Sequence, residues 1–188
     1  MTGVAVAGVA SECPVQCRPE VSSFAMDRLA IVEEHVRLEN AHDLEGIMGT
    51  FGADARYDDE PWDEHHLGQD QVRNYYQNLL RVAPDLKTEV KNRHMAGDAV
   101  ILEVIVSGTH RGNWRGLPPT GRFVEFPLCG IFTFGSEGRI AGERIYYDRA
   151  TVLRQLGVFH EPTTLAGRIL TPILHPVTLA RALLRRAP

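Results

Sequence analysis

A chain of 188 residues with a net charge of −4 and a sequence pI near 6.1 is long enough for one domain with a real core, and too acidic for a general nucleic-acid surface. No dense Lys/Arg run occurs before the last few residues, and no segment approaches the roughly 20 apolar residues of a membrane span. Three cysteines (Cys13, Cys17, Cys129) make no disulfide framework.

Residues 1–25 are rich in Gly, Ala, Ser and Pro without any period and read as a flexible tail, with Met26 as a second candidate start. The mildly apolar run Val4–Ala10 lacks a basic flank and reads poorly as a signal peptide, so the expected compartment is the cytoplasm. Cys13 and Cys17 lie four apart with no second ligand pair nearby, so no metal is expected there.

A helix is predicted over Asp27–Ala41, with Leu29, Val32 and Val36 on one stripe. Asp43 is placed to cap a second helix carrying Leu44, Ile47, Met48 and Phe51. Ala53–Asp59 reads as a short strand, followed by a polar loop through Trp62 and His66. A third helix starts near Asp70, buries Val72, Tyr75, Tyr76, Leu79 and Leu80, and ends at Pro84.

The period then changes. Lys87–Met95, Ala99–Thr109, Arg122–Phe134 and Arg139–Tyr147 read as strands, the middle pair with strict apolar alternation. Gly97-Asp98 and Gly135–Gly138 supply turns, and His110–Gly121 a loop. The outward set Ile101, Ile105, Cys129 and Ile131 is too apolar to leave wet, which argues for a dimer. Helices first and antiparallel strands after give an α+β pattern, with helices over one face of a curved sheet. Pro162, Pro172 and Pro176 divide an apolar, basic C-terminal extension, within which Val177–Arg186 can form an amphipathic helix. Its bland reading is packing on the domain or on a second subunit, and its sharper one a contact with a membrane surface.

Three motifs stand in a telling order: Gly116-Leu117-Pro118-Pro119-Thr120-Gly121-Arg122, then Gly138-Arg139-Ile140, then Leu153-Arg154-Gln155-Leu156-Gly157. Their order and spacing resemble the SnoaL-like polyketide cyclases, within the nuclear transport factor 2-like (cystatin-like) fold group. The resemblance covers Asp27–Val158. It implies an α+β cone, a strongly curved mixed sheet packed with three N-terminal helices. The chain then divides into a tail (1–25), a cone domain (26–158) and an extension (159–188). The resemblance also implies pairing of two such cones into a homodimer.

The segment Phe51–Glu60 is similar to the stretch of the ketosteroid isomerases that carries their base, and that base falls on Asp59. The isomerases' oxyanion-hole Tyr falls on His35. Their oxyanion-hole acid and the cyclases' catalytic His both fall on Gly130, and the cyclases' acid/base Asp falls on Ile145. Glycine and isoleucine cannot shuttle a proton, so the family's own residues cannot run the reaction here.

Asp59 is the first candidate base, if it faces an apolar cavity, against a turn residue bound to local amides. Glu143 should share a face with Ala141, Ile145 and Tyr147, either as a replacement carboxylate or as a rim ion pair with Arg122 or Arg144. His35 lies beside the first apolar stripe, as an oxyanion donor or a structural residue. His65 and His66 sit among Glu60, Asp63 and Glu64, where a metal is less expected than a place for His66 at the cavity lip. Tyr57, Trp62, Trp114, Phe126 and Tyr147 offer an aromatic wall for ligand, or are ordinary core.

The expected function is binding of a small apolar or polycyclic carbonyl compound, with cofactor-free acid/base cyclisation or isomerisation. The rivals are a non-catalytic binding or interaction module of the same fold, and epoxide hydrolysis through an Asp-Arg-Asp network that the sequence does not assemble.

Overall fold

Helix α1 spans Ser23–Asn40, and α2 spans Leu44–Thr50. The computed structural model describes residues 23–185, with side chains from Asp27 onward. The expected tail, apart from its last three residues, and the Cys13/Cys17 pair lie outside the described residues. Val32, Val36, Ile47 and Met48 are buried as their spacing requires. Asp43 caps α2, its carboxylate accepting from the Gly46 amide at 2.9 Å, a contact worth about 1 kcal/mol.

Phe51 opens strand β1 (Phe51–Asp59), two residues earlier than expected. A single 3-10 turn at Glu60–Trp62 then leads into a short strand β2 (Glu64–Leu67). The sequence predicts a loop here, because four residues are too few to display a period. Helix α3 (Gln69–Val82) buries Val72 and Tyr76 and stops two residues before Pro84, which disfavours helix in the residue before it.

Strands β3 (Lys87–Ala96), β4 (Ala99–Thr109), β5 (Phe123–Phe134) and β6 (Ile140–Tyr147) follow within a residue or so of expectation. They form one six-stranded sheet of order β2-β1-β6-β5-β4-β3. β4 and β5 pair antiparallel along their length, whereas β1 runs parallel to β6, so the sheet is mixed. Register shifts in β1, in β3 and between β5 and β6 curl it. Its concave face holds the core with α1, α2 and α3, including Val32, Phe51, Tyr76, Val100 and Leu102.

Asp148 caps α4 (Arg149–Gln155), accepting from the Ala150 amide at 2.9 Å. Leu156-Gly157 closes it, with Gly157 at φ 79°, where a side chain would be strained. Two more helices follow, α5 (Leu165–Leu174) and α6 (Pro176–Leu184). The sequence reading places only the second and makes Pro172 a divider. Pro172 instead lies inside α5, on an exposed helix where water can serve the carbonyl its ring leaves free.

Candidate functional site

The curled sheet and the helices enclose a cavity of about 600 Å³, within the usual range for small-molecule sites. Strand alternation decides what faces it. Asp59, Ile145, Gly130 and Leu102 form one cross-strand row, and Tyr57, Glu143, Phe132 and Val100 the next row deeper. All of these except Val100 line the cavity. The carboxylate absent at Ile145 is thus replaced on two sides. Asp59 lies one strand across, and Glu143 one rung along the same strand.

Asp59 is 2% exposed. Its Oδ2 accepts from Arg115 Nη2 at 3.0 Å, while its Oδ1 is buried with no partner. Burial raises its pKa, against the opposing pull of the Arg115 charge and the Tyr147 hydroxyl. Tyr147 accepts from Trp62 Nε1 at 2.7 Å, which leaves its own proton free to donate. Burial and the Asp59 charge hold that phenol above its usual range, so it stays protonated.

Arg115 belongs to the loop 110–121 and adopts φ 50°. Its guanidinium lies 4.4 Å from the Trp62 ring and 5.5 Å from the Trp114 ring, and also binds Glu64. Trp62 and Trp114 meet edge to face at 5.2 Å. The two tryptophans and the arginine close the rim over Asp59. Trp62 packs there without lining the cavity, whereas Trp114, Phe126 and Tyr147 line it. His65 and His66 alternate on β2. His65 turns outward to Asp58 at 2.7 Å, and His66 lines the cavity with Nε2 making no hydrogen bond, Glu64 standing 3.7 Å from it, and burial pulling its pKa down.

The deeper pole is built on Glu143 and Glu39, both lining the cavity. Glu143 is 5% exposed and makes no ion pair with Arg122 or Arg144, since Arg144 faces Asp58 and Glu60 on the other side of the sheet. Tyr76 donates its hydroxyl to Glu143 Oε2 at 2.6 Å. His35 is fully buried behind the two carboxylates and does not line the cavity. Its Nε2 stands 3.4 Å from Glu39 Oε1 and from Glu143 Oε2, and 3.0 Å from the Tyr76 oxygen.

With Glu143 ionised, the hydrogen bonds around His35 assign its protons. Thr50 gives its only proton to the Ile47 carbonyl at 2.7 Å, so it accepts from His35 Nδ1 at 2.8 Å. Tyr76 gives its proton to Glu143, so it accepts from Nε2. Both ring nitrogens then donate, the pattern of an imidazolium. Burial opposes that charge, but the hydrogen bonds and charges of Glu143 and Glu39 outweigh it and push the pKa up to about 10. Burial also raises the carboxyl of Glu143, with His35 pulling it back. Donor atoms of His35, Glu39 and Glu143 all lie within 4.8 Å of one another. A cation there would have to displace the Nε2 proton, since the doubly protonated ring has no lone pair to offer.

The cavity therefore joins a rim carboxylate with a free oxygen to a deep carboxylate pair backed by a buried cation, with apolar wall between them. Sequence reasoning missed Arg115, Glu39, Tyr75 and Tyr76 as site residues. Tyr75 also lines the cavity, and its ring lies 4.1 Å from that of Tyr57. Glu39 was discoverable, because it follows His35 at i+4 on one helix face. Arg115 carried no signal, because a loop arginine has no period.

A sequence model of the SnoaL-like polyketide cyclase family matches residues 30–156. Among solved structures, AclR of Streptomyces galilaeus, a proposed hydroxylase, is 26% identical with a TM-score of 0.64, over 77% of this chain and 93% of its own. IdmH of Streptomyces antibioticus, a proposed polyketide cyclase, is 24% identical with a TM-score of 0.59, over 70% and 99%. SalBIII, an epoxide hydrolase/cyclase-like enzyme of pyran ring formation in salinomycin, is 21% identical with a TM-score of 0.59, over 67% and 94%. The last two likenesses speak to the fold alone.

Proposed function

The chain belongs to the SnoaL-like polyketide cyclase family, and from that premise we propose that its cone binds a small apolar or polycyclic carbonyl compound and moves a proton on it without a cofactor, closing a ring or shifting a double bond. The observation that carries this reading is Asp59, a carboxylate 2% exposed whose Oδ1 lies at the cavity without a partner. A buried oxygen left unpaired costs stability, and a bound C–H acid gives it a use. Asp59 takes the proton next to the carbonyl, leaving an enolate. Tyr147 and Arg115 are the donors nearest to receive the negative oxygen. In a cyclisation the enolate carbon bonds to a second carbonyl carbon, and that carbonyl oxygen becomes a hydroxyl by taking back a proton. In an isomerisation the proton returns at another carbon. Glu143, one strand over and one rung deeper, can exchange protons at the far end of the ligand, with His35 holding its charge.

The experiment is hydrogen exchange on candidate polycyclic ketones in deuterated buffer, followed by NMR. The wild-type chain should label the position next to the carbonyl, and Asp59→Asn should bind the same ketone without labelling it. Tight binding with no labelling by the wild type across a broad panel would favour a binding module, in keeping with Gly130 and Ile145.

A second reading has one observation of its own. Arg115 bridges Asp59 and Glu64, a carboxylate–guanidinium–carboxylate set. Such a set can activate water on one side and protonate an epoxide oxygen on the other. Incorporation of labelled water oxygen into an epoxide panel tests it.

A further inference from the structure

The C-terminal extension is charged unlike the rest of the chain. Residues 162–188 contain four arginines (Arg168, Arg181, Arg185, Arg186) and no acidic residue, in a chain whose net charge is −4. Both helices here are amphipathic and neither is covered. On α5, Leu165, Ile169 and Ile173 recur every fourth residue and are 78%, 57% and 67% exposed. On α6, Leu183 and Leu184 are exposed on one side, and Arg181 and Arg185 stand one turn apart toward the other with Thr178, following the exposed Val177 along one row at the border of the apolar face. The two helices touch each other, and make no substantial contact with the sheet or with α1, α2 or α3.

We propose that α5 and α6 form a docking surface for an anionic lipid bilayer, lying in the headgroup plane rather than crossing it. An apolar face flanked only by arginines matches a negatively charged, apolar-backed surface in both respects. Arginine stems reach up from such a face to phosphates. Ten and nine residues are too few to span, and no described helix is long and apolar enough to do so. The acidic body of the chain is the obvious competitor. It is tethered to these helices at high effective concentration, yet leaves their apolar residues exposed. A second copy would offer the same acidic body. The inference is independent of the cavity chemistry.

The test is flotation of the full chain with vesicles of phosphatidylcholine, with and without phosphatidylglycerol. The chain should float with the anionic vesicles only, and high salt should release it. Arg181→Glu with Arg185→Glu should weaken flotation by about tenfold or more, and so should Ile169→Asp with Leu184→Asp. A chain ending at residue 161 should stay in solution and keep its thermal transition, because the missing helices make no substantial contact with the cone. Failure of the full chain to float with anionic vesicles at low salt overturns the proposal. Equal flotation of the truncated chain also overturns it. So does a full-chain dimer that truncation converts to monomer without any vesicle binding, which would assign the same surface to a second copy.

Discussion

Asp58 and Asp59 are neighbours on one strand, and each is 2% exposed, but they lie on opposite faces of the sheet and in different chemistry. On the outer face, Asp58 accepts from Arg56 at 2.7 Å and from His65 at 2.7 Å, with Arg144 at 3.4 Å. Burial alone would raise its pKa; these cationic and imidazole partners overcome that and lower it. On the inner face, Asp59 has one guanidinium, one buried oxygen without a partner and a raised pKa. Low exposure therefore does not distinguish the two carboxylates. The number of partners left unfilled does.

The sharpest way to break this contrast is Asp59→Asn. It keeps the shape of the side chain and removes the proposed base, so turnover of a responsive substrate should fall by about 10²–10⁴-fold, with little change in ligand binding. The same change should stabilise the fold at neutral pH. A carboxyl with a raised folded pKa contributes stability below its unfolded pKa and loses it as pH rises through the folded value. The stability gap between variant and wild type should thus close below about pH 3.9. Urea melts across that range check the sign. A variant that keeps full turnover would move attention to His66.

Next in size is the buried cation behind Glu143. His35→Gln leaves two inner carboxylates without it and should cost about 3 kcal/mol at neutral pH. The contribution of His35 is fully present below its unfolded pKa of about 6.5 and is lost as pH climbs through about 10. The wild type should therefore lose stability over that window, and the variant should not share the slope. Equal slopes would show that the imidazole is neutral.

Asp58→Asn tests the outer face and should cost less, about 1–2 kcal/mol, because Arg56 and Arg144 are half-exposed and rehydrate. The wild-type advantage is present above the unfolded pKa of about 3.9 and fades as pH falls through the lower folded value. Catalysis should be untouched, and a large loss of turnover would mean that the two faces are not separate. The last test is Arg115→Ala, which takes the hydrogen-bonded guanidinium from a buried carboxylate. Its useful readout is the pH–rate profile. Removing the positive charge beside Asp59 should shift the acidic limb to higher pH, and an unmoved limb would detach Arg115 from the base.

Periodicity made the frame legible. Strand alternation from Ala141 to Tyr147 suffices to turn Glu143 inward beside Ile145, and the boundaries of β4 follow from its apolar face alone. The same alternation cannot tell which inward carboxylate is satisfied, because partners arrive from elsewhere. Arg115 reaches Asp59 across 56 positions, and Tyr76 reaches Glu143 across 67. His35 reads more readily as structure than as a donor to ligand, and its partners Thr50, Tyr76 and Glu143 come from other elements. The strand β2 and the proline-containing helix α5 were hidden for a local reason, since one is too short for a period and the other carries a residue that usually ends helices.

The parallel pairing of β1 with β6 has a kinetic consequence. Tyr57 and Glu143 are register partners, yet most of the domain is synthesised between them. Nearby hairpins such as β3–β4 can close early, whereas this pairing must wait for a long loop to close, and non-local pairing is the slow class of folding event. The topology therefore predicts that Asp59 and Glu143 come to face one cavity late in assembly. Ligand binding should then appear in refolding no sooner than the slowest phase, which stopped-flow refolding in the presence of ligand would check.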